Sequence, residues 1–388
     1  MAKGTVPLIG SAFLILALAA CGGPTRQSER HAPTTSTSTS AQPTSTSTTL
    51  ISGAFSWSSH QSPGLGGEFA GELSCPAVKF CAAVAVLSGS YPQPAEVGLA
   101  EFNGSAWSKP TAEPSFSQSD VTVSCSEPTF CLAASSNGLY VIWDGASWSA
   151  PGALPLGKTS EPSQVSCANS TFCMADNGEL SGTTGLAQTL YATWNGTRWS
   201  AVTSLEDLDI ASVSCLNQNF CMGVGETTIS SGGNLSANDI GVAWNGSSWG
   251  EPVEMSESSA IGASGRISCA NAGFCMAVGG FHATGDEFTI WNGTDWSPQT
   301  PDTATGLSPT GFVAVSCPSP SLCVAVDGGS GVNGQPSTDE PPTVGVWNAG
   351  SWTGTHQQGL TNALDDVSCP SVDYCVILAT GDYLISTS

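Results

Sequence analysis

Fifteen cysteines, thirty-one carboxylates and four histidines are the side chains of this sequence best suited to chemistry. Fourteen of the cysteines fall into seven pairs, each with five residues between its members. The pairs are Cys75 and Cys81, Cys125 and Cys131, Cys167 and Cys173, Cys215 and Cys221, Cys269 and Cys275, Cys317 and Cys323, and Cys369 and Cys375. Cysteine at such spacing can ligate a metal, cycle between thiol and disulfide, or staple a loop. A four-ligand zinc site needs two pairs to converge. Seven is an odd number of pairs, and few histidines are present to complete such a site. Once the chain is exported, regular even-numbered pairing reads as disulfides. Each bridge would close a loop of about seven residues, for roughly 2 to 2.5 kcal/mol in the loop-entropy expression.

The remaining groups form no catalytic signature. His60, His282 and His356 lie outside any Gly-x-Ser-x-Gly elbow. Beyond residue 50 only Arg198 and Arg266 remain, too few for the arginine triad of a sialidase. Two placed carboxylates would suffice for glycoside hydrolysis, so that chemistry stays open among so many acids.

The elements that must position these residues repeat with the cysteines. First cysteines lie 50, 42, 48, 54, 48 and 52 residues apart, a period that marks a repeat architecture. Serine precedes each one (Ser74, Ser124, Ser166, Ser214, Ser268, Ser316, Ser368), and Leu, Val or Ile precedes the serine. That alternation describes a strand with one buried face. After six pairs comes a second motif, as in Trp194-Asn195-Gly196 to Trp199. Asn-Gly between strand-like residues signals a hairpin. With a two-residue Asn-Gly turn, Trp194 is expected opposite Thr197, with Trp199 diagonal to it.

Each unit therefore has four short strands, except the last, which ends after its third. Ala54-Phe55-Ser56-Trp57-Ser58 reads as the missing fourth, because Trp57 precedes Cys75 by the same 18 residues as Trp107 precedes Cys125. The expected fold is all-β: a seven-bladed β-propeller of four-stranded antiparallel blades over 51–388, closed by the N-terminal strand completing the last blade.

Residues 1–20 read as a signal peptide, with a positive start, a short apolar core and the junction Leu18-Ala19-Ala20-Cys21. This resembles a bacterial lipoprotein signal, which implies lipid attachment at Cys21. Residues 21–50 are rich in Ser, Thr and Pro and read as a disordered tether, spanning about 30 Å. The expected location is the outside of a bacterial cell membrane, held by lipid alone.

From residue 51 onward five Lys/Arg face thirty Asp/Glu, a net charge of −25. Nucleic acid is excluded as a partner, since phosphate contacts need a basic footprint. In an up-and-down blade the disulfide loops and Asn-Gly turns share one face. The longer, irregular connections share the other, where binding residues are expected. Candidates on this variable face are the acids Glu206, Asp207, Asp209, Asp339, Glu340, Asp365 and Asp366 and the aromatics Tyr91, Phe116 and Phe281. The acids could offer oxygens to Ca²⁺, although no ordered ligand loop is present. No other cofactor is implied.

The repeats, best seen in Ser316-Cys317-Pro318-Ser319 through Leu322-Cys323-Val324-Ala325-Val326, resemble a group of secreted bacterial proteins with tandem Ser-Cys-x5-Cys and Trp-Asn-Gly-x-x-Trp units. The resemblance implies an exported, propeller-like protein and assigns no activity. The functional expectation is a monomeric binding or scaffold module for an extracellular protein or polysaccharide. A glycan-binding lectin and a carboxylate-dependent hydrolase or lyase are the alternatives.

Overall fold

A computed structural model describes residues 55–387, apart from 62–67, 89–95, 117–119, 159–163, 181–186, 232–233, 257–264, 280–286, 299, 302–310, 328–341, 358–362 and 380–381. The described strands form seven separate four-stranded antiparallel sheets, arranged as the blades of a propeller. The signal segment, Cys21 and the tether lie outside the described residues.

The inner strands carry the serine-cysteine motif: Glu68–Ala77, Val121–Glu127, Gln164–Asn169, Leu208–Asn217, Arg266–Asn271, Phe312–Ser319 and Leu364–Ser371 in blades 1 to 7. Each second strand begins at the residue before the second cysteine, and some are buried throughout, as Phe130–Ser135 is. Such strands are covered on both faces by neighbouring blades, which is why their sequence is continuously apolar or small. The core is accordingly divided. At one junction Val84 and Leu99 of blade 1 pack on Val121, Val123, Ala133 and Val141 of blade 2. At another, Leu73, Ala83 and Phe102 of blade 1 pack on Val376, Leu378 and Tyr383 of blade 7.

The cysteines are stapled as their spacing predicts. Disulfides join Cys75 to Cys81, Cys125 to Cys131, Cys167 to Cys173, and Cys215 to Cys221 in blades 1 to 4. Others join Cys269 to Cys275, Cys317 to Cys323, and Cys369 to Cys375 in blades 5 to 7. Each bridge ties the first strand of its blade to the second. In every pair the second cysteine, Cys81, Cys131, Cys173, Cys221, Cys275, Cys323 or Cys375, is fully buried. These sulfurs are therefore structural, and neither metal ligation nor exposed thiol chemistry falls to them.

Every serine of the motif has one task. Its Oγ accepts the backbone N–H of the motif cysteine in the following blade. Cys125 N donates to Ser74 at 2.8 Å, Cys167 to Ser124 at 2.9 Å, and Cys215 to Ser166 at 2.9 Å. Cys269 donates to Ser214 at 3.1 Å, Cys317 to Ser268 at 2.9 Å, Cys369 to Ser316 at 2.9 Å, and Cys75 to Ser368 at 2.9 Å. The last bond joins blade 7 to blade 1, so the belt is continuous.

The ring closes as the repeat count requires. Ser56–Gln61 pairs antiparallel with Asp382–Thr387, with Trp57 opposite Ser386, and forms the outer strand of blade 7.

The hairpin register differs from the sequence expectation. Trp194 sits directly opposite Trp199, not Thr197. The reason is local. Asn195 Oδ1 accepts the N–H groups of Thr197 and Arg198, and only Gly196 takes positive φ, at 91°. Asparagine therefore occupies the first corner of the turn and not its centre. The two indoles face each other with centroids 5.6 Å apart. Trp194 Nε1 also donates to Ser170 O in the disulfide loop, so staple and hairpin lie on one face.

The belt yields a prediction. Ser124→Ala strands the Cys167 N–H and should cost about 1–3 kcal/mol, whereas Ser105→Ala in an exposed turn should stay within about 0.5 kcal/mol. Denaturant unfolding of both variants measures the difference.

Candidate functional site: the central channel

The inner strands enclose a channel of about 620 Å³. Two residues before each belt serine, the chain again faces this channel, but here the residues do not repeat. In blade order they are Glu72, Thr122, Gln164, Ser212, Arg266, Ala314 and Asp366. Below them the serine belt is uniform. Above them each inner strand leads toward the variable face, so this ring of unlike side chains lies on the variable-face side of the belt.

Glu72 and Asp366 come from adjoining blades. Asp366 Oδ2 accepts the Leu73 N–H at 2.7 Å, and its Oδ1 accepts the Val367 N–H at 2.7 Å. Glu72 Oε2 accepts from Thr122 Oγ1 at 3.3 Å. Burial raises the pKa of both acids. For Asp366 the Glu72 charge adds to the rise and its two N–H bonds oppose it; for Glu72 the Arg266 guanidinium and Thr122 oppose it. Burial and the shared negative charge therefore disfavour full ionisation of the pair.

Asp365 is the extra residue of a bulge, since pairing passes from Leu364↔Ala379 to Asp366↔Leu378. A bulge re-aims its side chain. Here it leaves Oδ2 buried without a hydrogen-bond partner, and burial pushes the carboxyl up to about 7.

The other expected residues scatter. Glu206 and Asp207 are exposed at the connection into blade 4, where Asp207 has φ 62°. Asp209 turns toward blade 3: a Cβ on Gly178 would lie 1.9 Å from its Oδ1. Phe116 is fully buried between blades 1 and 2, so it serves packing and offers no stacking surface. Tyr91, Phe281, Asp339 and Glu340 lie outside the described residues. Among the described residues, no group of three or more His, Cys, Asp or Glu is arranged to hold a metal ion.

Glu72, Thr122, Gln164 and Arg266 were missed by reading acidic clusters along the chain. Aligning the seven units on their serines exposes them, because the variable position stands two residues before an invariant serine and next to a constantly apolar one. The same alignment isolates Asp176. Other blades carry Val84, Ala134, Val224, Val278, Val326 and Leu378 at its position. Asp176 is completely buried and neither carboxylate oxygen has a hydrogen-bond partner. Burial, with the Asp209 charge second, holds its pKa well above the usual range.

No family model and no curated protein matches the chain. Solved propellers do. YCF48 bound to a D1 peptide is 14% identical, with a TM-score of 0.54 over 86% of this chain and 95% of that one. YCF48 from Cyanidioschyzon merolae is 14% identical, with a TM-score of 0.51 over 85% and 98% of the two chains. The WD40 β-propeller domain of Doa1 is 10% identical, with a TM-score of 0.52 over 85% and 97%. At these identities the likeness is one of fold: the chain is a seven-bladed β-propeller.

The buried acids lead to two expected outcomes. Asp365 binds its proton more tightly folded than unfolded. Its contribution to stability is therefore complete below the unfolded pKa and is lost as pH rises through about 7. Melting temperature should fall from about pH 5 to about pH 8, and Asp365→Asn should flatten that slope. Asp176→Val restores the apolar residue of the other blades and should stabilise by about 1–3 kcal/mol at neutral pH, read by denaturant unfolding.

Proposed function

We propose that the protein is a binding module held outside the cell membrane, and that it engages an extracellular protein through its variable-loop face. The observation that carries this reading is the contrast between the two faces. One is built from uniform disulfide loops and hairpin turns. The other receives connections of unequal length and opens on a ring of unlike polar side chains. Repetition serves the scaffold, and departures from it mark where a partner would be distinguished.

Seven disulfides fit an oxidising environment outside the cytosol. Lipid attachment at Cys21 and a tether over 21–50 account for retention at the membrane. The net charge of −25 over residues 51–388 favours a basic partner surface. A protein fits better than a polysaccharide, because the described tryptophans are committed to hairpins and blade junctions and Phe116 is buried. The propeller solved with a D1 peptide is an instance of this fold binding a peptide.

Photo-crosslinkers at Glu206 and at Ser147 would compare the two faces on intact cells. Adducts with extracellular proteins are expected at Glu206, weakening with salt, and not at Ser147. Equal labelling at both sites, or labelling by polysaccharide alone, would sink the reading. Incorporation of labelled palmitate, abolished in Cys21→Ala, checks the anchor.

A further inference from the structure

The channel ring has a charge arrangement that the face-binding role does not use. Asp366 and Glu72 come from adjoining blades 7 and 1, and Arg266 stands on blade 5, two blades from Asp366 and three from Glu72 round the same channel. Arg266 acts on both acids through space. Among the described residues, its guanidinium donates only to Gly265 O, at 3.4 Å, and forms no ion pair. Opposite charges thus line one polar channel without forming an ion pair among the described residues. The hydroxyls and amide of Thr122, Ser212 and Gln164 occupy the wall between Glu72 and Arg266.

We propose that this channel is a receptor for a small zwitterion, an ammonium and a carboxylate on one short carbon chain. Glu72 and Asp366 hold the ammonium, Arg266 holds the carboxylate, and Thr122, Gln164 and Ser212 hydrogen-bond between them. A simple cation would gain the two acids but be repelled by Arg266. A simple anion would gain Arg266 and be repelled by the acids. Only a molecule carrying both charges satisfies both walls. Arginine suits the carboxylate end because its planar fork pairs with two oxygens at once. The space is large enough for an amino acid or a short peptide and excludes a folded chain.

The titratable groups of the lining are Glu72, Asp365, Asp366 and Arg266. Burial raises the pKa of both adjoining acids, and an ammonium bound beside them would favour their charged forms.

Calorimetry on the full-length protein tests the proposal with glycine, β-alanine, γ-aminobutyrate and ε-aminohexanoate, against butylamine and butyrate as singly charged controls. One member of the series should saturate and bind at least about tenfold tighter than either control. Arg266→Gln should lower zwitterion affinity by about tenfold or more and leave butylamine unweakened. Asp366→Asn, which keeps the side-chain shape, should weaken the zwitterion and spare butyrate. Far-ultraviolet dichroism confirms that each variant is folded. Should Arg266→Gln not fold, Arg266→Lys keeps the charge, loses the fork and should still weaken binding.

Butylamine binding as tightly as every zwitterion would overturn the proposal, as would a folded Arg266 variant with unchanged affinity. So would the absence of saturation by any member at millimolar concentration. Crosslinking at Glu206 is independent of each of these outcomes, so failure here and failure of the face-binding reading are separable.

Discussion

One hydrogen bond, made seven times, fixes the centre of this molecule. The inner strands of neighbouring blades lie alongside one another as members of separate sheets. Without a side-chain acceptor the motif cysteine N–H would be a partly buried donor left unmet, at a cost of about 1–3 kcal/mol. Serine answers it with the smallest side chain able to accept, so the blades approach closely. A larger acceptor would push them apart and a smaller residue would leave the donor orphaned. This constraint explains why serine is invariant where the flanking apolar residue varies among Leu, Val and Ile. The disulfide adds a second restraint on the same residue, since the cysteine whose N–H joins the belt is also bonded across its own blade.

Much of this was legible in the sequence, because repetition turns a single chain into its own alignment. The Ser-Cys spacing, the truncated last unit and the position of Trp57 together specify blade number and closure. The hairpin register was not legible. It turned on whether Asn195 occupies the first corner or the centre of its turn, and the dipeptide alone does not distinguish these. Asp365 and Asp366 were identified as candidates from being adjacent acids, yet a bulge gives them different surroundings: one in a desolvated recess, the other against backbone donors of blade 1 and of its own strand. Asp209 looked like a companion of Glu206 and Asp207, but it turns toward Gly178 of the neighbouring blade. Proximity in sequence predicted composition of a loop and not convergence of side chains.

The channel ring shows what a repeat leaves free. Where the serine level is sevenfold uniform, the level above it carries acid, hydroxyl, amide, guanidinium and methyl groups. A uniform scaffold tolerates such variety because those side chains line the channel and leave the belt untouched. Asp176 marks the limit of that freedom: the same kind of substitution on the second strand falls in a blade junction, where no solvent relieves it.

The closing strand has a mechanical consequence. Ser56 lies at the end of blade 7 that shares its face with the disulfide loops, and six cross-strand pairs run from it to Gln61. Tension drawn along the chain from its N-terminal side, out of that face, is parallel to the strand and loads all six pairs in shear. A sideways pull would instead peel them one at a time. The strand that completes the ring is also a latch, strongest against a load drawn out of the stapled face along the strand.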